Sequence, residues 1–333
     1  MRLPLPQVEP DATLPESVTI YEVGPRDGLQ NEAAVVPAVV KAEFVRRLAS
    51  AGLGTIETTS FVDPRWVPQL ADAEEVLGLL DEQGRGAQRP VLVPNERGLD
   101  RALAAGVGAI AVFGSATETF ARKNLTRSVE ESLAMFAQVV DRAGAEGLWV
   151  RGYVSMCFGD PWEGPVPVTQ VVDVCRRLMD LGCDQLSLGD TIGVGTVGHV
   201  HRLLAGLDAV GITVDRVGVH FHDTYGQALS NTLAALRGGS PSSTPPRGGS
   251  GAARTPSPRR ATSPRRTSCG RSMALGYTPA STSMRSSPRA GGWRVTSAGR
   301  RRRAWCGPSL VSDDVDPAAQ VRLDSGGGGR RVD

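Results

Sequence analysis

The strongest constraint on this chain is an alternation that runs through its first two-thirds. Short apolar or β-branched runs recur at Val18–Val23, Thr55–Thr59, Arg89–Val93, Ala109–Phe113, Trp149–Ser155, Gln185–Leu188 and Arg216–Phe221. Amphipathic helical patterns lie between them, at Ala38–Ala51, Asp72–Leu80, Gly98–Ala105, Val129–Ala145, Val168–Leu181 and Val197–Ala209. Strands joined through helices pair in parallel with right-handed crossovers. Seven such units fit before position 238, and an eighth would close an α/β fold of the (β/α)8 TIM-barrel type. A doubly wound open sheet is the runner-up architecture.

Polar residues fall at the C-terminal ends of these strands, where a barrel gathers its chemistry. Arg26 and Asp27 follow the first strand, Glu57 ends the second, Arg151 lies on the fifth, Asp190 and Thr191 follow the sixth, and His220 and His222 sit on the seventh. Two histidines at i and i+2 on a strand project from one face, so both can grip one cation. Asp27 is a suitable third ligand, and imidazole plus carboxylate suits a divalent ion such as Mg²⁺ or Mn²⁺. His199 and His201 repeat the spacing within a helical pattern, where i and i+2 do not share a face, so they are rejected as ligands.

The order of five segments adds specificity. They are Tyr21-Glu22-Val23-Gly24-Pro25-Arg26-Asp27-Gly28-Leu29-Gln30, Thr59-Ser60-Phe61-Val62-Asp63-Pro64-Arg65-Trp66-Val67-Pro68-Gln69, Arg151-Gly152-Tyr153-Val154-Ser155, Ser187-Leu188-Gly189-Asp190-Thr191-Ile192-Gly193-Val194-Gly195 and Val219-His220-Phe221-His222-Asp223-Thr224-Tyr225-Gly226-Gln227. Over residues 17–237 the chain resembles the hydroxymethylglutaryl-CoA lyases, metal-dependent barrels that break a C–C bond beside a carbonyl. The resemblance implies cleavage of a 3-hydroxy-3-methylglutaryl-CoA-like thioester to acetyl-CoA and acetoacetate, with a homodimer in the intact fold. It also implies a cation held by Asp27, His220 and His222, an enolate-stabilising Arg26, a Glu57 that orients Arg26 or a metal-bound water, and proton transfer by Asp190. Gln30, Arg151 and Thr191 become candidate substrate contacts. Plainer roles stand beside these: Arg26 and Asp27 as a loop ion pair, Glu57 as a structural ion-pair partner, and Asp190 as a helix N-cap. A condensing synthase of the same barrel group is the alternative enzyme.

Charge divides the chain. Residues 1–237 carry 20 Lys+Arg against 30 Asp+Glu, a net of −10, whereas residues 238–333 carry 17 Arg against 5 acids, a net of +12. The sequence therefore separates into a catalytic barrel, 1–237, left incomplete, and a low-complexity basic tail, 238–333, expected to be disordered. Such a tail could bind nucleic acid, but no aromatic residues are patterned with its arginines, which argues against that partner. Five cysteines without C-x-x-C spacing favour a reducing compartment. The Met1–Pro6 start has neither the apolar run of a signal peptide nor the character of a transit peptide, so the cytoplasm is expected. No apolar run approaches the roughly 18 residues needed to span a bilayer.

The tail has a further property. Most of its residue types fix their first two codon bases, so a shifted frame can be partly read. From Ser240 through Pro256 that hidden frame permits Val-Thr-Val-Val-Asp-Ser-Ser-Ala-Gly-Gly-Leu-Gly-Gly-Cys-Pro-Tyr-Ala, a strand followed by a glycine-rich loop. The resemblance implies a catalytic Cys at the place of Ala253 and a fourth metal ligand, Asn, at the place of Thr262. A frameshift near Arg237–Ser240 is therefore expected, with an impaired product. The sequence predicts that the eighth strand is lost.

Overall fold

The computed structural model describes residues 9, 11–15, 17–81, 87–238 and 274–276. Nine strand segments form one parallel sheet: β1 (Thr19–Glu22), β2 (Thr55–Ile56), β3 (Thr59–Ser60), β4 (Val91–Leu92), β5 (Ala109–Ser115), β6 (Trp149–Ser155), β7 (Gln185–Asp190), β8 (Val217–Phe221) and β9 (Ala274–Gly276). Their order is β2-β1-β9-β8-β7-β6-β5-β4-β3. The two ends of that order belong to one pass of the chain. Glu57 N–H donates to Glu22 on the β1 side at 2.8 Å, and Thr58 N–H donates to Pro90 on the β4 side at 3.0 Å. The sheet thus closes into an eight-strand barrel, with its second strand split at Glu57-Thr58.

A three-residue segment of the basic tail, β9, stands at the eighth position of the barrel. β9 pairs in parallel with both neighbours, Thr19 opposite Ala274 and Gly218 opposite Ala274. An open slot between β1 and β8 would leave two rows of backbone donors and acceptors unpaired, and any extended backbone can fill it. The rest of the basic tail lies outside the described residues, as do Ala253 and Thr262.

Eight helices accompany the strands: α1 (Ala38–Ser50), α2 (Ala73–Asp81), α3 (Glu96–Ala104), α4 (Glu118–Leu125), α5 (Val129–Ala145), α6 (Val168–Asp180), α7 (Val197–Ala209) and α8 (Ala228–Gly238). α5 starts at a reciprocal cap: Ser128 Oγ accepts from Glu131 N–H at 3.0 Å while Glu131 accepts from Ser128 N–H at 2.7 Å. Its buried Leu133, Phe136, Val139, Val140 and Ala143 recur at helical spacing, as do Val171, Val174, Cys175 and Leu178 on α6. These side chains form one apolar cluster with Ile110, Val112, Val150, Leu186, Leu188, Val217 and Val219, the outward residues of β5–β8. No described helix is long and apolar enough to cross a membrane. Cys157, Cys175 and Cys183 are buried free thiols, and burial raises the pKa of each, the last two to about 12.

Candidate active site

The chain leaves β1 through a π-helical turn, Gly24–Gly28, in which the N–H groups of Arg26, Asp27 and Gly28 all converge on the Val23 carbonyl. Such wide turns are uncommon and cluster at functional sites. This one buries Arg26 and sets it beside Asp27, with Nη1 donating to Oδ1 at 2.7 Å. Arg26 Nε donates to Oε1 of Glu57, a carboxylate at 0 % exposure. Burial disfavours the guanidinium's charge, but Glu57 and Asp27 outweigh it and raise the pKa. The two carboxylates fix the orientation of Arg26 and keep it charged.

Glu57 is held at both oxygens, because the Tyr153 hydroxyl donates to Oε2. Tyr153 was missed as a site residue in the sequence. The available signal was its spacing from Arg151, since residues two apart on β6 share a face.

On β8 and just beyond it, the Nε2 atoms of His220 and His222 approach to 3.1 Å, so both rings point at one place. Burial lowers both imidazole pKa values, that of His220 to about 4 with help from His222, while Asp27 opposes the shift. Both rings are neutral near pH 7, as metal ligation requires. Burial pushes the Asp27 carboxyl upward, but Arg26 and then the two imidazoles pull it below its ordinary value. Among the described residues, no three His, Cys, Asp or Glu side chains stand together in ligand geometry. The three expected ligands, Asp27, His220 and His222, all line one cavity, with Asp27 turned onto Arg26. The reason is local: the adjacent guanidinium gives Asp27 a charge-assisted hydrogen bond within its own turn. The donor set still suits a divalent ion, being two neutral imidazoles with an ionised carboxylate close enough to act on both.

A cavity of about 400 Å³ opens above these groups. Arg26, Asp27, Gln30, Tyr153, Thr191, His220 and His222 line it, with Trp66, Asn95, Phe113, Asn124 and Arg127 among the wall residues. Gln30 and Thr191 both line this cavity, and Thr191 Oγ1 accepts from Met156 N–H at 2.8 Å.

Arg151 does not line this cavity. It is 1 % exposed, donates to Gln185, and lies with its guanidinium carbon 4.1 Å from the Tyr21 ring centroid. β6 points it inward one layer too deep. Asp190 is also turned away: its carboxylate accepts from Val194 N–H at 2.9 Å and Gly195 N–H at 3.0 Å, and it does not line the cavity. Burial raises its pKa to about 6 against those backbone donors. In this geometry the Asp190 carboxylate caps the loop that follows β7. The loop it anchors needs its glycines. Gly193 has φ of +70°, and a Cβ there would meet Thr224 at 2.5 Å and the His222 carbonyl at 2.9 Å.

The family model described as HMGL-like matches residues 17–242. The cytoplasmic 3-hydroxy-3-methylglutaryl-CoA lyase of Rattus norvegicus is 51% identical over 226 residues, 68% of this chain and 65% of that protein. The mitochondrial hydroxymethylglutaryl-CoA lyase of Bos taurus is 49% identical over 228 residues, 68% of this chain and 69% of that protein. The solved hydroxymethylglutaryl-CoA lyase of Pseudomonas aeruginosa superposes with a TM-score of 0.66 at 44% identity, covering 68% of this chain and 75% of that one. An HMG-CoA lyase of Acinetobacter baumannii, solved with coenzyme A and 3-methylmalate, gives 0.63 at 30% identity, covering 70% and 74%. The chain therefore spans 65% of the rat relative's length and belongs to the metal-dependent HMGL-like family.

Proposed function

We propose that the barrel is the catalytic part of a hydroxymethylglutaryl-CoA lyase. It would cleave 3-hydroxy-3-methylglutaryl-CoA, or a close 3-hydroxyacyl-CoA, to acetyl-CoA and acetoacetate. The observation that carries this reading is a fixed, charged Arg26 facing the same cavity as two convergent neutral imidazoles. His220 and His222, joined by Asp27, are the residues that would hold the Mg²⁺ or Mn²⁺. When bound, the ion supplies Lewis acidity that lowers the pKa of the tertiary hydroxyl.

The remaining work falls to the chain's own side chains. As the C2–C3 bond breaks, its electron pair moves to the thioester as an enolate, and the hydroxyl loses its proton to leave the ketone of acetoacetate. Arg26 offers two-pronged hydrogen bonding to the thioester oxygen where that charge develops, and Glu57 prevents it from swinging away. Reprotonation of the enolate carbon gives acetyl-CoA. Gln30 and Thr191 orient the acyl chain. Asp190 holds the loop carrying Thr191. The buried free thiols suit a reducing, cytoplasmic setting.

We also infer that the reading frame is shifted after about Arg237, so that residues 238–333 are out-of-frame translation and the chain is impaired. Support comes from the tail's acid-free stretch from Gly238 to Ser312 and from the strand-and-loop sequence hidden in the neighbouring frame. Independent sequencing of the gene across this point should find one base gained or lost. An intact single frame with no family sequence in the alternative frame would refute the shift. Lyase activity is tested by incubating the chain and a frame-restored version with the thioester and Mg²⁺ or Mn²⁺. Release of acetyl-CoA and acetoacetate by the restored version supports the assignment, whereas acetyl-CoA consumption with a 2-keto acid would point to the synthase.

A further inference from the structure

We propose that Tyr153 is a positioning residue for Arg26, acting through the shared carboxylate of Glu57. The inference rests on the lyase reading only for its kinetic consequence; the geometric part stands on its own.

Tyr153 and Glu57 are 96 residues apart in sequence and meet across the barrel interior. Glu57 is fully buried, and its two oxygens are divided between two donors, Arg26 Nε and the Tyr153 hydroxyl. The Tyr153 ring also faces Arg26, with the guanidinium carbon 5.6 Å from the ring centroid. Arg26 is thus held from its inner side by the ring and by a carboxylate that the phenol prevents from rotating. Its outer side is held by Asp27 at 2.7 Å. Without the phenol, one buried carboxylate oxygen loses its donor, and the balance for Arg26 tips toward Asp27.

A second cation supports this arrangement from below. The Arg151 guanidinium carbon lies 4.1 Å from the Tyr21 centroid and 5.4 Å from that of Tyr153. No carboxylate forms an ion pair with it among the described residues; it lies against the two aromatic faces and donates to Gln185. Burial and the neighbouring Glu57 raise the Tyr153 pKa, so the phenol keeps the proton it donates.

The test uses the full chain labelled with ¹⁵N-arginine, the Arg26 Nε–H signal being assigned with Arg26→Lys. Wild type should show slow solvent exchange at this proton. Tyr153→Phe should speed exchange about tenfold, the equivalent of one lost hydrogen bond. Ser187→Ala should leave it unchanged; Ser187 neighbours Tyr153 on β7, and its buried hydroxyl has no hydrogen-bond partner among the described residues. An unaltered exchange rate in Tyr153→Phe overturns the proposal.

If Tyr153→Phe does not fold, 3-fluorotyrosine can replace the four tyrosines, and Glu57→Gln should shift the ¹⁹F signal of Tyr153. An unshifted signal is equally decisive against it. In a frame-restored enzyme Tyr153→Phe should lower kcat with little change in KM, whereas a raised KM at unchanged kcat contradicts positioning. Unchanged lyase activity in a frame-restored Arg26→Lys variant would sink the lyase reading and leave the Tyr153–Glu57–Arg26 geometry to the exchange result.

Discussion

The two faces of the same strands are built from different chemistry. Outward, Val150, Leu186, Leu188, Val217 and Val219 join Phe136, Val139, Val174 and Leu178 in one apolar cluster under the helices. Inward, Arg151, Tyr153, Ser187 and His220 meet Tyr21, Glu57 and Arg26 in a barrel interior that is charged and hydrogen-bonded. Barrel interiors are more often filled by branched aliphatic side chains. The outer layer stabilises by burial, which tolerates many sequences. The inner layer holds charges that would be costly alone, so each depends on a particular neighbour. Stability and chemistry are thus interleaved residue by residue along a strand.

The largest expected effect breaks the inner layer. Glu57→Ala should cost about 3–5 kcal/mol in urea denaturation, because it strands the Arg26 charge in the interior. An Arg26→Met/Glu57→Leu double variant should recover much of that loss, because the buried guanidinium goes with its partner. A single-variant cost no larger than that of a surface ion pair would erase the contrast between the faces. On the outer face, Leu186→Ala should cost about 2–5 kcal/mol by transfer and cavity terms. Among the molecules that remain folded, calorimetry or exchange should find the Arg26–Glu57 pair intact.

A smaller effect separates Asp190 from both layers. Its pKa stands near 6 against an ordinary 3.8, so the folded state binds this proton more tightly than the unfolded chain does. The stability it contributes is full below about pH 4 and is lost as pH rises through about 6. Asp190→Asn should flatten the stability profile across that window, by on the order of 1–3 kcal/mol. An unchanged profile would show that burial does not raise the Asp190 pKa above its ordinary value. The smallest change lies outside the sheet: Ser128→Ala should cost about 1 kcal/mol in thermal melts by removing the α5 cap, with no change at the cavity.

Periodicity made much of the fold legible. β6, α5 and α7 have the bounds expected from their patterns, and the other strands and helices differ by a few residues at their ends. The pattern of the second strand is one continuous run, yet the strand is split, because Glu57 and Thr58 bond to opposite neighbours. α4 and α8 leave little signal in the sequence. α4 is eight residues long with only Phe120 and Ala121 buried, and α8 buries mainly alanines and Asn231. Neither carries a strong apolar stripe. In the site, the His220-x-His222 spacing on a strand announced its shared face. The direction of Asp190 could not be read in this way, because a carboxylate beside a glycine-rich loop can turn outward to substrate or back to the loop's N–H groups.

By itself the sequence determined the parallel strand–helix alternation, the inward placement of the two histidines, and the family to which the barrel belongs. Those follow from local period and from motif order, which survive in one dimension. Only the tertiary structure decided that Tyr153 and Arg26 divide one carboxylate, that Arg151 stops a layer below the cavity, and that β9 closes the sheet. Such pairings depend on barrel radius, stagger and the direction of each side chain across the interior. No local pattern along the chain encodes them.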